Sequence, residues 1–293
     1  MKFATFLSNG LECAGVMYSG EYYSFKDLLG VGAPETMLDF IRDCEGREIP
    51  DFDSIISQGS LNPMGNITLR SPIPRPFRHI ICLGKNYADH AKEVLETKLE
   101  TQNADYIPQA PVYFTKTACP AIGDGEKIPL HGHFTQMADY EAELAVIIGK
   151  TAQRISQEDA ESVIFGYTIV NDVTARDIQQ KHGQWFFGKS LDGFCPMGPH
   201  IVTKDEIPFP VELNISCRVN GEPRQSSNTR NLVFDIPRVI SELSQGITLY
   251  PGDIIATGTP AGIGHAMKPP RYLKEGDIVE CEIEKIGVLT NSC

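Results

Sequence analysis

A chain of 293 residues is long enough to bury a sizeable core, as one large domain or as a small one joined to a large one. Hydrophobic residues make up 41% and charged residues 22%, an ordinary globular balance that excludes a disordered chain. A net charge of −12 with no Lys/Arg run argues against nucleic acid as a partner, and an anionic substrate would then need local positive charge from a metal, Arg or Lys inside a site.

The chain opens with MKFATFLSNG, whose apolar run is too short for a signal peptide. Short strands over Met1–Leu7 and Ala14–Tyr18 and a helix near Glu35–Arg42 form a small leading region. The segment from Arg70 to Arg78 carries three prolines and reads as an extended linker or edge segment. A boundary there divides a small N-terminal α+β domain, 1–75, from a larger domain, 76–293. Strands are then expected at Val112–Thr115, Tyr140–Ile148, Phe165–Asn171, His200–Val202, Leu213–Val219, Asp253–Thr257 and Asp277–Ile283. Helices are short: Tyr87–Glu96, Gln157–Glu161, Thr174–Lys181 and Ile236–Leu243. The fold class is mixed α/β, mainly β, because strands dominate without βαβ regularity. The echo between Pro251-Gly-Asp-Ile-Ile and Glu275-Gly-Asp-Ile-Val reads as two ordinary turns into strands, not a repeat.

Eight cysteines, at 13, 44, 82, 119, 195, 217, 281 and 293, form no C-x-x-C pair and read as free thiols of a reducing compartment, several of them buried. The longest apolar run, LAVIIG, is far short of a membrane span, so the expectation is a cytoplasmic protein with no membrane partner.

The stretch DYEAELAVIIG is the most informative. Glu141 and Glu143 are two apart, so on a strand they share a side. A solvated face is the bland account, but the residues that follow are apolar on both sides of the strand. Two carboxylates at the end of such a strand repel one another unless a cation sits between them. Oxygen donors suit Mg²⁺, Mn²⁺ or Ca²⁺ rather than Zn²⁺. Asp172, ending the apolar strand FGYTIVN, is either a turn residue or a third ligand. Thr174 reads as the N-cap of the next helix, with Asp177 three residues on. Arg176 and Gln179 share a face of that helix, where they could orient a substrate carboxylate or serve as surface polar groups. His131 and His133, with Gly between them and no Cys nearby, read as a solvated loop rather than a metal pair.

His90 and Glu93 lie three apart on the helix that opens after Gly84-Lys-Asn-Tyr. A carboxylate beside an imidazole orients it and raises its basicity, as a water-activating base needs. Ala88, Ala91, Val94 and Leu95 form that helix's apolar stripe, which puts His90 and Glu93 on the polar face: an exposed pair, or a base that acts when segment 86–109 closes over a metal. The polar stretch ETKLETQNADYIPQA would be the lid. The segment from Gly183 to Ser190 fits the letters of a P-loop, but helix precedes it and LDGFCPMGP cannot start one, so phosphate binding is rejected. Lys189 is then an exposed lysine or a cation for an anionic transition state. Ala256–Gly264 is a Gly-rich loop in which Thr257 or Thr259 and loop amides could bind a carboxylate.

Together ICLGKNYADHAKE, PVYFTKTACPAIGDG, DYEAELAVIIGK, FGYTIVNDVTARDIQ, FFGKSLDGFCPMGP and GDIIATGTPAGIG resemble the fumarylacetoacetate hydrolase family, in the family's order, over roughly residues 78–290. The resemblance implies a fumarylacetoacetate-hydrolase-type β-sandwich roll, usually a homodimer, with Mg²⁺ or Mn²⁺ on Glu141, Glu143 and Asp172. It implies a His90–Glu93 base, an electrostatic role for Lys189, and substrate contacts from Arg176, Gln179 and Thr259, to which Lys85 is added. The family's substrates are small 2-oxo acids, and its reactions share an enolate stabilised by the metal. Hydrolysis of a C–C bond in a 2,4-dioxo acid of the acylpyruvate or fumarylpyruvate type is favoured, because the His90–Glu93 pair suits water activation. The alternatives are oxaloacetate decarboxylation, isomerisation of a hydroxymuconate-type diacid, and a binding or regulatory protein that kept the fold.

Overall fold

A computed structural model describes residues 1–59, 61–97, 107–118 and 120–293. The chain begins with three antiparallel strands, β1 (Lys2–Ser8), β2 (Leu11–Tyr18) and β3 (Glu21–Ser24). Helices α1 (Phe25–Leu29), α2 (Met37–Asp43) and α3 (Phe52–Gln58) follow. Each helix start is held by a side chain: Ser24, Thr36 and Asp51 accept from the backbone N–H three residues on. Strand β4 (Ile67–Arg70) returns to pair with β1. The proline-rich segment after it is extended but not loose. Ser71 to Pro74 are buried, and Thr5 donates to the Pro72 carbonyl at 2.7 Å.

The next elements are β5 (Ile80–Gly84), α4 (Ala88–Thr97), β6 (Val112–Lys116), β7 (Ala138–Asp139), β8 (Ala142–Ile148) and β9 (Ile164–Asn171). After β10 (Thr174–Ala175) come α5 (Arg176–His182), α6 (Trp185–Lys189) and β11 (Met197–Thr203). The chain then forms β12 (Asn214–Val219), β13 (Glu222–Asn228), α7 (Ile236–Gly246), β14 (Ile254–Ala256), β15 (Ile278–Ile283) and β16 (Gly287–Ser292). Helix α7 buries Ile236, Val239, Ile240 and Leu243, the stripe of an amphipathic helix. The two echoing turns close alike, with Asp253 and Asp277 each accepting the backbone N–H three residues earlier at 2.8 Å.

Among the described residues a ten-stranded sheet runs β3-β2-β1-β11-β9-β8-β14-β5-β6, with β4 on the side of β1. Only the β14–β5 pair is parallel. A four-stranded antiparallel sheet, β13-β12-β15-β16, covers part of it. The alternation of β8 shows how the layers are made. Leu144, Val146 and Ile148 pack in one core with Ile215, Val279 and Ile283 of the smaller sheet and with α7. Ala145 and Ile147 face the other core, with Phe3, Phe25, Phe40 and Phe52 of the N-terminal region. A strand buried on both faces must be apolar throughout, as β8 and β9 are until each reaches its carboxylate end.

Two expected elements are corrected. The helix expected from Thr174 starts at Arg176, and Thr174 is not its N-cap. Thr174 pairs with Asp139 in the short β10–β7 ladder, and its hydroxyl donates to the Asp172 carbonyl at 2.8 Å. Sheet pairing supplied by a distant segment overrides the local capping signal. The stretch Gln157–Glu161 holds no α-helix, only a 3₁₀ turn over Ala160–Val163.

Candidate metal centre and acid–base site

Strands β8 and β9 lie side by side, with Ala142 opposite Asn171, so their ends bring Glu141, Glu143 and Asp172 together. One ligand atom from each lies within 4.8 Å of the others, and all three residues are buried. The local backbone enforces this. Asn171 Oδ1 accepts the Glu141 N–H at 3.0 Å, and Glu141 O accepts the Asp172 N–H at 2.8 Å. His131 and His133 stay outside the cluster, on a loop where His131 contacts the Asp192 carbonyl.

Three cations surround these carboxylates. Lys189 Nζ lies 2.8 Å from Glu141 Oε2 and 2.7 Å from Asp172 Oδ2, and donates to Thr174 Oγ1 at 3.0 Å. Arg176 Nη1 lies 2.7 Å from Glu141 Oε1. Lys116 Nζ lies 2.7 Å from Asp172 Oδ1 and donates to the carbonyls of Val173 and Lys189. Burial would raise the Glu141 carboxyl, but Lys189 and Arg176 outweigh it and hold it at about 2. Burial would likewise strip Lys189 of its proton, but Asp172 and Glu141 reverse that and keep it charged.

Glu143 is different. It accepts the Gly258 N–H at 2.9 Å and has no ion pair among the described residues. Burial, then Asp172 and Glu141, push its carboxyl well above the usual range. A hard divalent cation on these oxygen donors would remove that conflict, so the donor set fits Mg²⁺ or Mn²⁺. Gly258 can approach so closely because it is glycine, with φ +98° and no room for a Cβ, which would lie 2.9 Å from Asn86 Cβ.

His90 is placed differently from the expectation. It is 6% exposed, whereas Leu95 of the expected apolar stripe is 52% exposed. Helix α4 docks through His90, Ala91 and Val94, because the surface it meets is a polar site rather than an oily one. His90 therefore lines the cavity beside Glu141 and Glu143. Residues 98–106 of the expected lid lie outside the described residues. His90 Nδ1 is 3.2 Å from Glu93 Oε2, so Nδ1 is the donor to the carboxylate and Nε2 has no hydrogen-bond partner among the described residues. Glu93 also accepts the Gly262 N–H at 2.8 Å, which ties α4 to the Gly-rich loop.

Lys85, Gln179 and Thr259 line the same cavity with Arg176 and Lys189. Gln179 Oε1 accepts from Arg176 Nη1 at 3.3 Å. The Thr259 hydroxyl donates to the Ala142 carbonyl at 2.9 Å and accepts from Gln225, so it ties the loop to β8 as well as facing the cavity. Phe114 and Trp185 add an aromatic wall, with Lys189 Nζ 5.0 Å from the Phe114 ring centre. Lys189 belongs to α6, where the P-loop letters form a short helix whose lysine points at carboxylates. Sequence reasoning missed Lys116, Trp185 and Asp139. Lys116 had one signal: an acidic triad in an apolar strand end needs cations, and Lys116 ends a strand.

Carboxylates, lysine, arginine and a His–Glu pair converging at a strand end form a site suited to holding a divalent cation and moving a proton. The profile described as "Fumarylacetoacetate (FAA) hydrolase C-terminal" matches residues 79–293, and the chain belongs to the fumarylacetoacetate hydrolase family. It is 50% identical over 228 residues to oxaloacetate tautomerase YisK of Bacillus subtilis (strain 168), covering 78% of this chain and 73% of that one. It is 44% identical over 260 residues to the mitochondrial oxaloacetate tautomerase FAHD2A of Bos taurus, covering 88% and 79%. A fumarylacetoacetate hydrolase from Exiguobacterium antarcticum has a similar structure, with TM-score 0.84 and 42% identity over 100% of this chain and 98% of that one. The maleylpyruvate hydrolase of Sphingobium sp. SYK-6, solved with manganese(II) and pyruvate, superposes with TM-score 0.77 at 31% identity, over 100% and 98%. The mixed, strand-dominated fold expected from the resemblance is therefore the observed one. No helix among the described residues is long and apolar enough to cross a membrane. The mitochondrial relative means that the cytoplasmic setting expected from the sequence does not extend across the family.

Proposed function

We propose that this chain is a divalent-cation-dependent enzyme of oxaloacetate, interconverting its keto and enol forms, rather than the C–C hydrolase that the sequence favoured. The observation that carries the reading is the buried Glu141–Glu143–Asp172 cluster beside His90, in a family whose similar members are named oxaloacetate tautomerases. Glu141, Glu143 and Asp172 would hold Mg²⁺ or Mn²⁺. When bound, the cation supplies Lewis-acidic charge that lowers the cost of negative charge on the 2-oxo group.

The chain's own residues do the rest. Arg176 Nη2 is buried with no hydrogen-bond partner, which suits a carboxylate oxygen of the substrate. His90 Nε2 removes a proton from C3, and Glu93 steadies the imidazolium. The Lys189 ammonium, fixed and charged, offsets the growing charge on the oxygen. His90 returns the proton to that oxygen, which completes the enol without water and without a lost carbon. Loss of CO₂ from oxaloacetate is the second reading, because it develops the same charge next to Lys189.

The test follows enol absorbance and pyruvate release from oxaloacetate, with Mg²⁺ and with EDTA. Cation-dependent approach to the keto–enol equilibrium, with no pyruvate above background, is expected. Stoichiometric pyruvate would make it a decarboxylase. Cleavage of acetylpyruvate with oxaloacetate untouched would restore the hydrolase, and inertness to all would favour a binding protein. The homodimer is proposed on the same family grounds, to be checked by light scattering.

A further inference from the structure

We propose that Asp139 is a positioning residue of this site, fixing the Arg176 guanidinium so that Nη2 meets the substrate's carboxylate. The inference rests on the reading of Arg176 given above. Asp139 is fully buried, two residues before Glu141, yet it lies outside the carboxylate cluster. Its two oxygens accept four N–H groups. Oδ2 takes Arg176 Nε at 2.9 Å and the His265 N–H at 3.0 Å. Oδ1 takes the Gly264 N–H at 2.8 Å and the Tyr140 N–H at 3.0 Å. Every partner is a donor, and Arg176 is its one cation among the described residues. Gly264 is required for this: a Cβ there would lie 2.7 Å from Asp139 Oδ1 and 2.1 Å from the Arg271 carbonyl.

The consequence falls on Arg176. A guanidinium is planar, so holding two of its nitrogens sets the direction of the third. Glu141 holds Nη1, but Glu141 also belongs to the carboxylate set that would take the cation. Asp139 has no such second duty. With Nε anchored on Asp139, Nη2 is left as the buried, unpartnered donor. The same carboxylate grips the loop amides at Gly264 and His265, so the guanidinium and the Gly-rich loop share one anchor.

The experiment measures oxalate binding to the Mg²⁺-loaded protein through the fluorescence of Trp185, the chain's single tryptophan and part of the cavity wall. Mg²⁺ affinity is read in the same titration before oxalate is added. Asp139→Asn should weaken oxalate by about tenfold or more, the scale of one impaired charge-assisted bond. It should change Mg²⁺ affinity by no more than about threefold, since Asp139 is no ligand. In an Arg176→Lys background the same change should weaken oxalate by less than about twofold, because the group it positions is gone. Equal weakening in both backgrounds, or none in either, overturns the proposal. If Asp139→Asn fails to fold, a crystal structure of the unmodified protein with Mg²⁺ and oxalate decides. Arg176 Nε on Asp139 with Nη2 on oxalate upholds the proposal, and Arg176 swung off Asp139 refutes it. Failure of the unmodified protein to bind oxalate would bring down the functional reading itself, and this inference with it. A normal unmodified protein with an indifferent variant brings down only the role of Asp139.

Discussion

The core between the large sheet and the N-terminal helices and the site at the ends of β8 and β9 are equally buried, and they hold together on opposite grounds. In the first, Phe3, Phe25, Phe40, Phe52 and Phe165 form a nest of rings, with Phe25 and Phe40 centroids 4.3 Å apart. Every ring removed from water there favours folding by itself. In the second, Glu141, Asp172, Lys116, Arg176 and Lys189 are tolerated only because they pair with one another, and Glu143 is desolvated with no ion pair among the described residues. The lesson is that burial has two meanings within one sheet. Where it is apolar it stabilises, and where it is ionic it prepares a place for something else.

That contrast can be broken at its sharpest point first. Glu143→Ala removes a proposed ligand and should abolish cation binding and turnover of oxaloacetate. Because Glu143 has no ion pair among the described residues, the cation-free variant should melt no lower than the cation-free parent. A lowered melting temperature would mean that the site stabilises the fold as the aromatic core does. His90→Ala should cut oxaloacetate turnover by roughly 10²–10⁴-fold, the scale of general-base catalysis, with Mg²⁺ affinity nearly unchanged. Full activity of that variant would remove His90 from the chemistry.

The aromatic side is tested by Phe40→Ala, at a residue 2% exposed. Denaturant unfolding should show a loss of about 3–5 kcal/mol, while Mg²⁺ affinity of the folded fraction stays as it was. A smaller effect comes from His200, which burial and then Lys2 depress to about 4. Its ring nitrogen meets the Tyr22 hydroxyl at 2.8 Å, joining β11 to the N-terminal strands. Between about 4 and 6.5 the unfolded chain binds more protons at this residue, so stability is full above about 6.5 and falls as pH drops through that window. The stabilisation from Glu141, held at about 2, is lost only at lower pH, from about 4.5 downward. Urea midpoints at pH 7 and pH 5 should therefore differ in the parent and differ less in His200→Gln.

The strands of the large sheet were legible where one physical signal ruled. Strand β8 is apolar on both faces up to its carboxylate end, and the two-residue spacing of Glu141 and Glu143 shows in the letters. Sequence reading failed where a distant partner decided the outcome. The face of α4 was read in part: Ala91 and Val94 are buried as the stripe implied, but His90 is buried with them and Leu95 is exposed, because the helix docks on a charged site that suits His90. The cap at Thr174 yielded to a two-residue ladder with Asp139. Strand β13, EPRQSSN, carries no alternation and is recruited by β12 through its hydrogen bonds. Asp139 gave no signal and Lys116 only a weak one for a related reason: Arg176 and Asp172, the groups they pair with, come from segments tens of residues away, which local spacing does not reveal.

The joint between β1 and β11 has a consequence in time. Phe3 pairs with Ile201, so the seam of the sheet joins residues 198 positions apart. During synthesis at about 5–20 residues per second, roughly 10–40 s separate the emergence of the two sides of that seam. Until then β2 and β4 can already flank β1, because their partners are near in sequence. Phe165, which completes the ring nest, arrives on the same late schedule. The N-terminal strands therefore leave the ribosome with the Lys2–Phe3 end of β1 unpaired on its β11 side and an oily face unfinished, and the order of translation sets how long that stretch needs shelter.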